Sequence, residues 1–425
     1  MRPASIDPAP RRYPDAVTLV RRAAVGRAAA PEHLTIAEVE NWLLGEAVRI
    51  SDLITLFEAF VWRMVSAGLP LDRASLHVGT LHPQLFGFAW NWNVADGLCD
   101  EVKVAETALA SDAYRRNPLA VVLEKGEAVS LDPADPSAGE RFPLTADLRE
   151  LGITHYLALP LGGAGYHNVA TVATRQVGGF SDVQRATLEQ LLRLLALHVE
   201  RHIAMRIARN VLDTYLGSLA GGRVLEGSIK RGAGTRVEAA VWSSDLRGFT
   251  DMADRLEPPV MLAVLNVYFE AMAGAVIRHG GEVLKFMGDG LLAIFPLDGD
   301  YPEGNAASAA LAAALAAEAS VERLNRAPPY DLATIDGWRP LRSGIALHVG
   351  DVFFGNIGAP ERLDFTVIGA AVNAVSRVEG MSKQLGHSIL FTAEVARHLS
   401  HPSISLGTHS LRGVGEPMEI FALDR

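Results

Sequence analysis

A single cysteine, Cys99, in 425 residues leaves no partner for an internal disulfide. The fold must therefore rest on packing alone, and the chain is expected in a reducing, cytoplasmic setting. Basic residues are also in short supply, with 39 Lys and Arg against 49 Asp and Glu and a net charge of -10. That balance argues against broad nucleic-acid binding, which needs a basic face, but leaves room for a local pocket that grips one nucleotide. No uncharged apolar run reaches about 18 residues, so no membrane span is expected. The most apolar stretch, 306–317, is nearly all alanine and reads as a soluble helix. The N-terminus lacks the apolar core of a signal peptide, and no internal repeat is visible. What remains is the composition of a folded protein, 49% hydrophobic and 21% charged. Its length calls for two or three domains.

Residues 1–34, rich in proline and arginine, read as a flexible arm. A first domain spans 35–180. It opens on two helices over 35–68, where Ile50, Leu53, Ile54, Phe57, Phe60, Val61 and Met64 recur at three- and four-residue steps. The period then shortens, and 74–81, 86–92, 128–131, 155–161 and 169–174 read as strands around a helix over 111–124. This α+β order is similar to a GAF-type small-molecule sensor. Residues 181–235 form a long helix and connector. Ser181 and Asp182 offer the N-cap and Gly217 the stop. Along the helix Leu188, Leu192, Leu195, Val199, Ile203, Ile207 and Val211 make one stripe. Such a stripe serves either as a dimer seam or as packing on the sensor domain. At about 1.5 Å per residue the helix runs roughly 55 Å, more than a small domain usually covers, which favours the seam.

A third region, 236–425, alternates strands (237–246, 282–287, 291–295, 342–349, 352–357) with helices (260–279, 305–325, 371–385, 393–399). A turn at Gly288-Asp289-Gly290 separates two of the strands. The order suggests an α/β sheet of ferredoxin-like type in an α+β chain. Six polar residues stand out here. Asp245 ends an apolar strand, where a carboxylate can hold a hard cation or cap a helix. The amides of Leu246, Arg247, Gly248, Phe249 and Thr250 follow, close to a helix N-terminus suited to phosphate oxygens. Asp289 occupies the turn and is either an ordinary turn residue or a second carboxylate at the same sheet end. Two carboxylates beside a triphosphate suit two-metal chemistry. Lys285 is a donor, and the Thr366 hydroxyl donates or accepts. Asn373 and Arg377, four apart, share a helix face. Each has a plainer reading: an edge lysine, a β-branched strand residue, two solvated helix positions.

In these contexts (Ser-Ser-Asp-Leu-Arg-Gly-Phe-Thr, Leu-Lys-Phe-Met-Gly-Asp-Gly, Asp-Phe-Thr-Val-Ile-Gly-Ala-Ala-Val-Asn-Ala-Val-Ser-Arg) the region resembles a class III nucleotidyl cyclase catalytic domain. The Thr-containing bacterial adenylate cyclases are the subgroup it resembles. The resemblance implies that Asp245 and Asp289 bind two Mg²⁺ or Mn²⁺ ions per active site. It implies that Lys285 and Thr366 read the base of ATP, and that Asn373 and Arg377 serve the transition state. Arg342 and Arg412 match residues that grip the terminal phosphates. It further implies a head-to-tail homodimer with sites at the interface, governed by a regulator of the N-terminal domain. Ala370 departs from the family's Gly-Asp before the asparagine helix. The rival readings are a guanylate cyclase and a catalytically silent nucleotide-binding regulator. His198 and His202, spaced i, i+4, read as helix packing rather than a metal pair, and Trp90 and Trp92 as core packing or the wall of a pocket.

Overall fold

The computed structural model describes residues 13–80, 85–162, 168–329, 332–335 and 338–424. The chain divides into two compact units, Met1–Val211 and Leu212–Arg425.

The first unit is built on an antiparallel sheet of β1 (Val17–Ala23), β2 (Arg73–Gly79), β3 (Leu85–Asn93), β4 (Cys99–Ala105), β5 (Val129–Leu131), β6 (His155–Leu161) and β7 (Asn168–Thr174). Their spatial order is β1-β4-β3-β2-β7-β6-β5. Alternation along β6 shows how the sheet is sandwiched. Leu157, Leu159 and Leu161 enter one core with α1 (Ile36–Leu44) and α2 (Leu53–Ser66). Tyr156 and Ala158 enter a second core, opposite the first. Thr35 caps α1 in a capping box with Glu38, and Asp52 caps α2.

Several expectations are corrected. Residues 17–23 are not part of a flexible arm: they form β1, pinned to β4 by Arg21–Glu101 and Arg22–Asp100 ion pairs, both 2.6 Å. Residues 1–12 of that arm, and residue 81 of the first predicted strand, lie outside the described residues. Strand β4 escaped prediction because its acidic residues Asp100 and Glu101 look solvated in sequence, yet both are buried against those arginines. The helix over 111–124 is two, α3 (Asp112–Arg115) and α4 (Pro118–Lys125), divided where Asn117 caps the second and Pro118 starts it. Helices α5 (Pro136–Arg141) and α6 (Leu144–Glu150) join α4 in the second core.

The long helix α7 (Asp182–Leu216) is present with the expected limits. Its stripe is not a free dimer seam. Leu188, Leu192, Leu195, Val199 and Ile203 are all buried in the core of their own unit, and Ile207 packs against it. Val211, the last residue of the stripe, is exposed, and α7 also exposes Val183, Leu197 and Met205, which lie off it. His198 is buried with its Nε2 2.8 Å from the Leu43 carbonyl, so helix packing accounts for it.

The second unit holds β8 (Gly234–Leu246), β9 (Glu282–Met287), β10 (Gly290–Pro296), β11 (Ser343–Ala359), β12 (Arg362–Ile368), β13 (Ile389–Thr392), β14 (Ser403–His409) and β15 (Met418–Leu423). The order is β14-β15-β13-β11-β8-β10-β9, with β12 paired to β11. All pairs are antiparallel except β11 with β13. The connector contributes α8 (Ser218–Leu225); after it come α9 (Phe249–Ala253), α10 (Pro258–Arg278), α11 (Ala306–Arg326) and α12 (Ala370–Gly380). Helices α10 and α11 cover one face, where Ala310, Ala313 and Ala317 of α11 are fully buried. Helices α8 and α12 belong to the core on the other face. The strands expected over 342–349 and 352–357 are one continuous β11, which runs through Gly350-Asp351 because β8 pairs with it along its whole first part. Among the described residues one helix, α10, is long and apolar enough by composition to cross a membrane. Its Met261, Val264, Tyr268 and Met272 are buried in the core of the unit.

Candidate active site

The two aspartates meet because of strand pairing. Asp245 is the penultimate residue of β8, and Leu291 of β10 pairs with Ser244. The turn between β9 and β10 has two residues, Gly288 and Asp289, closed by the Gly290–Met287 pair. Gly288 has φ +64°, the conformation that a type II′ hairpin asks of its first turn residue. Gly290 keeps the approach open, since a Cβ there would stand 3.1 Å from the Ser244 carbonyl oxygen and 3.5 Å from Asp245 Oδ1.

At this sheet end the Asp245 carboxyl is pushed up to about 6, first by burial, then by the charge of Asp289 and a hydrogen bond between the two carboxyls. Two carboxylates crowded this way repel unless a proton or a cation lies between them. Oxygen donors at the edge of a sheet are the ligands that hard divalent cations take, so the pair fits Mg²⁺ or Mn²⁺.

A third carboxylate, Glu379, feels their charge, although no three acids converge as a metal cluster among the described residues. Gly344 pairs with Asp245 across β11 and β8. A Cβ at Gly344 would lie 2.5 Å from both Glu379 Oε1 and Ser382 Oγ, so the glycine makes room for the Glu379 side chain. Burial and the Asp245 charge push the Glu379 carboxyl up to about 7. Glu379 was not picked out in the sequence; its signal was its place two residues after Arg377 on the same helix.

The loop after β8 carries Leu246, Arg247, Gly248, Phe249 and Thr250. Gly248, at φ +77°, is the N-cap of the five-residue α9. Leu246 is buried. The Arg247 amide is not free for a phosphate, because it donates to the Arg342 carbonyl at 2.8 Å. The Arg247 guanidinium donates to the His387 carbonyl, also at 2.8 Å. Arg342 immediately precedes β11 at this same sheet end, with its side chain exposed. Arg412 is exposed in the connection between β14 and β15, and among the described residues no ion pair or hydrogen bond ties it to the aspartates.

Lys285 and Thr366 come together through β12. Lys285 Nζ lies 3.1 Å from Asp364 Oδ2. Asp364 and Thr366 are two apart on β12 and so point to one side of it. Thr366 pairs with Gly355, is 4% exposed, and its hydroxyl has no partner among the described residues. A buried hydroxyl without a partner is costly unless a ligand satisfies it. Asp364, the partner of Lys285, is a neighbour of this candidate pair that nothing in its local sequence singles out.

Asn373 and Arg377 are both exposed on α12 and make no side-chain hydrogen bond or ion pair among the described residues. Glu379 follows Arg377 by two positions, about 200° around the helix axis. The helix face that approaches Asp245 is therefore not the face that carries Arg377.

Comparison with known proteins bears on the same region. Residues 235–424 match the Adenylate and Guanylate cyclase catalytic domain family. An adenylate cyclase of Anabaena cylindrica is 33% identical over 197 residues, which are 46% of this chain and 37% of that protein. Adenylate cyclase 1 of Rhizobium meliloti is 29% identical over 191 residues, 44% of this chain and 28% of the relative. The chain thus spans well under half the length of these curated relatives. The solved structure of the guanylyl cyclase Cya2 is 30% identical, covering 45% of this chain and 93% of that one, with a TM-score of 0.38.

Proposed function

Residues 235–424 belong to the adenylate and guanylate cyclase catalytic domain family, and from that premise we propose that the chain converts ATP to 3′,5′-cyclic AMP and pyrophosphate. The observation that carries the choice of ATP is the pair Lys285 and Thr366 on adjoining strands, with the buried Thr366 hydroxyl unpartnered. The lysine donates to the acceptor N1 of adenine, and the hydroxyl accepts from its amino group.

In the proposed reaction the ribose 3′-oxygen bonds to the α-phosphorus and loses its proton, while the bond from the α-phosphorus to the bridging oxygen breaks and pyrophosphate leaves. Asp245 and Asp289 would hold two divalent cations. Bound there, Mg²⁺ or Mn²⁺ supplies acidification of the attacking hydroxyl and neutralisation of the departing pyrophosphate. Arg377 meets the negative charge that grows on the α-phosphate, and Asn373 orients the ribose. Arg342 and Arg412 are assigned to the terminal phosphates, Arg412 on resemblance alone. Within one chain Arg377 leaves α12 on a different face from the one near Asp245. This supports a homodimer in which one copy offers the aspartates and the other offers Lys285, Thr366, Asn373 and Arg377. The first unit, GAF-like in our reading, would regulate this assembly.

Asp364 lends a guanylate cyclase reading its one supporting observation, because a carboxylate accepts the two N–H donors of guanine. Purified chain given ATP or GTP with Mn²⁺ separates the two. A strong GTP preference overturns the ATP reading, and output unchanged by Asp245→Ala overturns both.

A further inference from the structure

The first unit contains a cavity of about 770 Å³, lined by β1 to β4, the start of α2 and the stretch 201–210 of α7. We propose that it binds a small organic anion with an apolar body. This rests on the first unit alone and does not depend on the cyclase chemistry.

Charge is the first observation. Five arginines line the cavity against two carboxylates, Asp52 and Glu101, an excess of three positive charges in a chain whose net charge is -10. The acids are already engaged. Glu101 is 1% exposed and accepts from Arg21 Nε at 2.6 Å and from Arg206 Nη2 at 2.8 Å. Asp52 accepts from the other end of Arg21 at 2.7 Å. Among the described residues Arg201 donates only to the carbonyls of Val48 and Ile50 and to a ring nitrogen of His202, with no carboxylate to compensate its charge. Arg49 and Arg209 are exposed and have no ion pair among the described residues.

Unfinished hydrogen bonding is the second observation. Glu101 holds Arg206 through Nη2, while Arg206 Nη1 is buried with no acceptor among the described residues. Trp90, 1% exposed, also lines the cavity, and its buried indole N–H has no acceptor among the described residues. Two buried donors without acceptors on residues of the wall, amid excess positive charge, favour an anionic oxygen as the ligand group.

The rest of the wall says what else the ligand carries. Arg206 lies 4.1 Å above the Phe88 ring and 5.8 Å from that of Trp90, which makes an aromatic floor. Val20, Val48 and Met205 on the rim are 49%, 49% and 58% exposed, apolar surface that a ligand would cover. An inorganic anion would leave most of this volume and all of this surface unused. The volume lies within the roughly 300–1,000 Å³ usual for small-molecule sites.

The probe is 8-anilinonaphthalene-1-sulfonate, titrated into the full chain by fluorescence, with uncharged N-phenyl-1-naphthylamine as the same body without its anion. The expected result is one saturable sulfonate site per chain, at least tenfold tighter than the uncharged dye. Arg206→Gln and, separately, Arg209→Gln should weaken the sulfonate at least tenfold and five-fold respectively, and leave the uncharged dye within twofold. Arg209 is exposed and unpaired, so its variant reports even if Arg206→Gln fails to fold. No saturable site, equal affinity for both dyes, or sulfonate binding unchanged in Arg209→Gln overturns the proposal.

Discussion

Asp289→Asn should make the metal-free protein more stable while abolishing its chemistry. In the wild type the Asp245 carboxyl is raised from 3.8 to about 6 by burial and by Asp289. Taken at face value, a shift of about two pH units is worth about 3 kcal/mol. Only the part owed to Asp289 is relieved by the substitution, and Asp245 is half-exposed, so solvent screening leaves about 1 kcal/mol. For a unit of this size that raises the melting temperature by about 2–4 °C. The sign follows from linkage. An acid whose pKa is raised on folding favours the folded state while protonated, and that contribution is lost as pH rises from about 4 through about 6. The wild type is therefore penalised at pH 8, where Asp245 is ionised beside Asp289, and barely at pH 5, where Asp245 keeps its proton. Calorimetry in a chelator at both pH values gives the test. The Asp289→Asn chain should melt higher than wild type at pH 8 and level with it at pH 5. Added Mn²⁺ should reverse the order at pH 8, because only the intact pair binds it well. A variant that melts lower than wild type in chelator at pH 8, or whose gain is as large at pH 5, would refute the reasoning.

Gly344→Ala drives a Cβ to 2.5 Å from Glu379 Oε1 and Ser382 Oγ, so denaturant unfolding should show a loss of about 1–3 kcal/mol from overpacking. Chains carrying Asp245→Ala and Arg377→Ala, each inactive alone, should regain about a quarter of wild-type turnover when mixed, since a two-fold dimer of one of each restores one of two sites. No recovery on mixing contradicts the divided site. Lys285→Ala should raise KM for ATP and lower kcat/KM by about 10²-fold, the scale of losing one charged hydrogen bond to the base. Cyclase assays of a chain starting near Thr235 against the full chain report the sign of control by the first unit, and equal rates would remove that unit from regulation.

The candidate site was more legible in the sequence than the scaffold that presents it. Asp245 and Asp289 could be placed at one sheet end because a strand terminus and a Gly-Asp-Gly turn have fixed geometry. Glu379 and Asp364 could not, since nothing local distinguishes them from solvated helix and strand acids; only Gly344 beneath the one and Lys285 beside the other give them meaning. Strand β4 stayed hidden for a similar reason: Asp100 and Glu101 look exposed until β1 delivers Arg22 and Arg21 from some 80 residues away. The α7 stripe shows the opposite failure. Its periodicity was plain, but periodicity states that a face is covered and not by what, and the covering turned out to be the helix's own unit. The continuous β11 was misread as two strands because Gly350-Asp351 carries turn chemistry that pairing with β8 overrides.

The most direct measurement is cyclic nucleotide formation by the purified full chain with Mn²⁺, given ATP and GTP in parallel, beside Asp245→Ala purified the same way. The proposed reaction predicts cyclic AMP from ATP, far less product from GTP, and a loss of at least about 10²-fold in the variant, the scale of removing a metal ligand's electrostatic support. Equal or greater turnover of GTP, or an Asp245→Ala chain as active as the wild type, would contradict it.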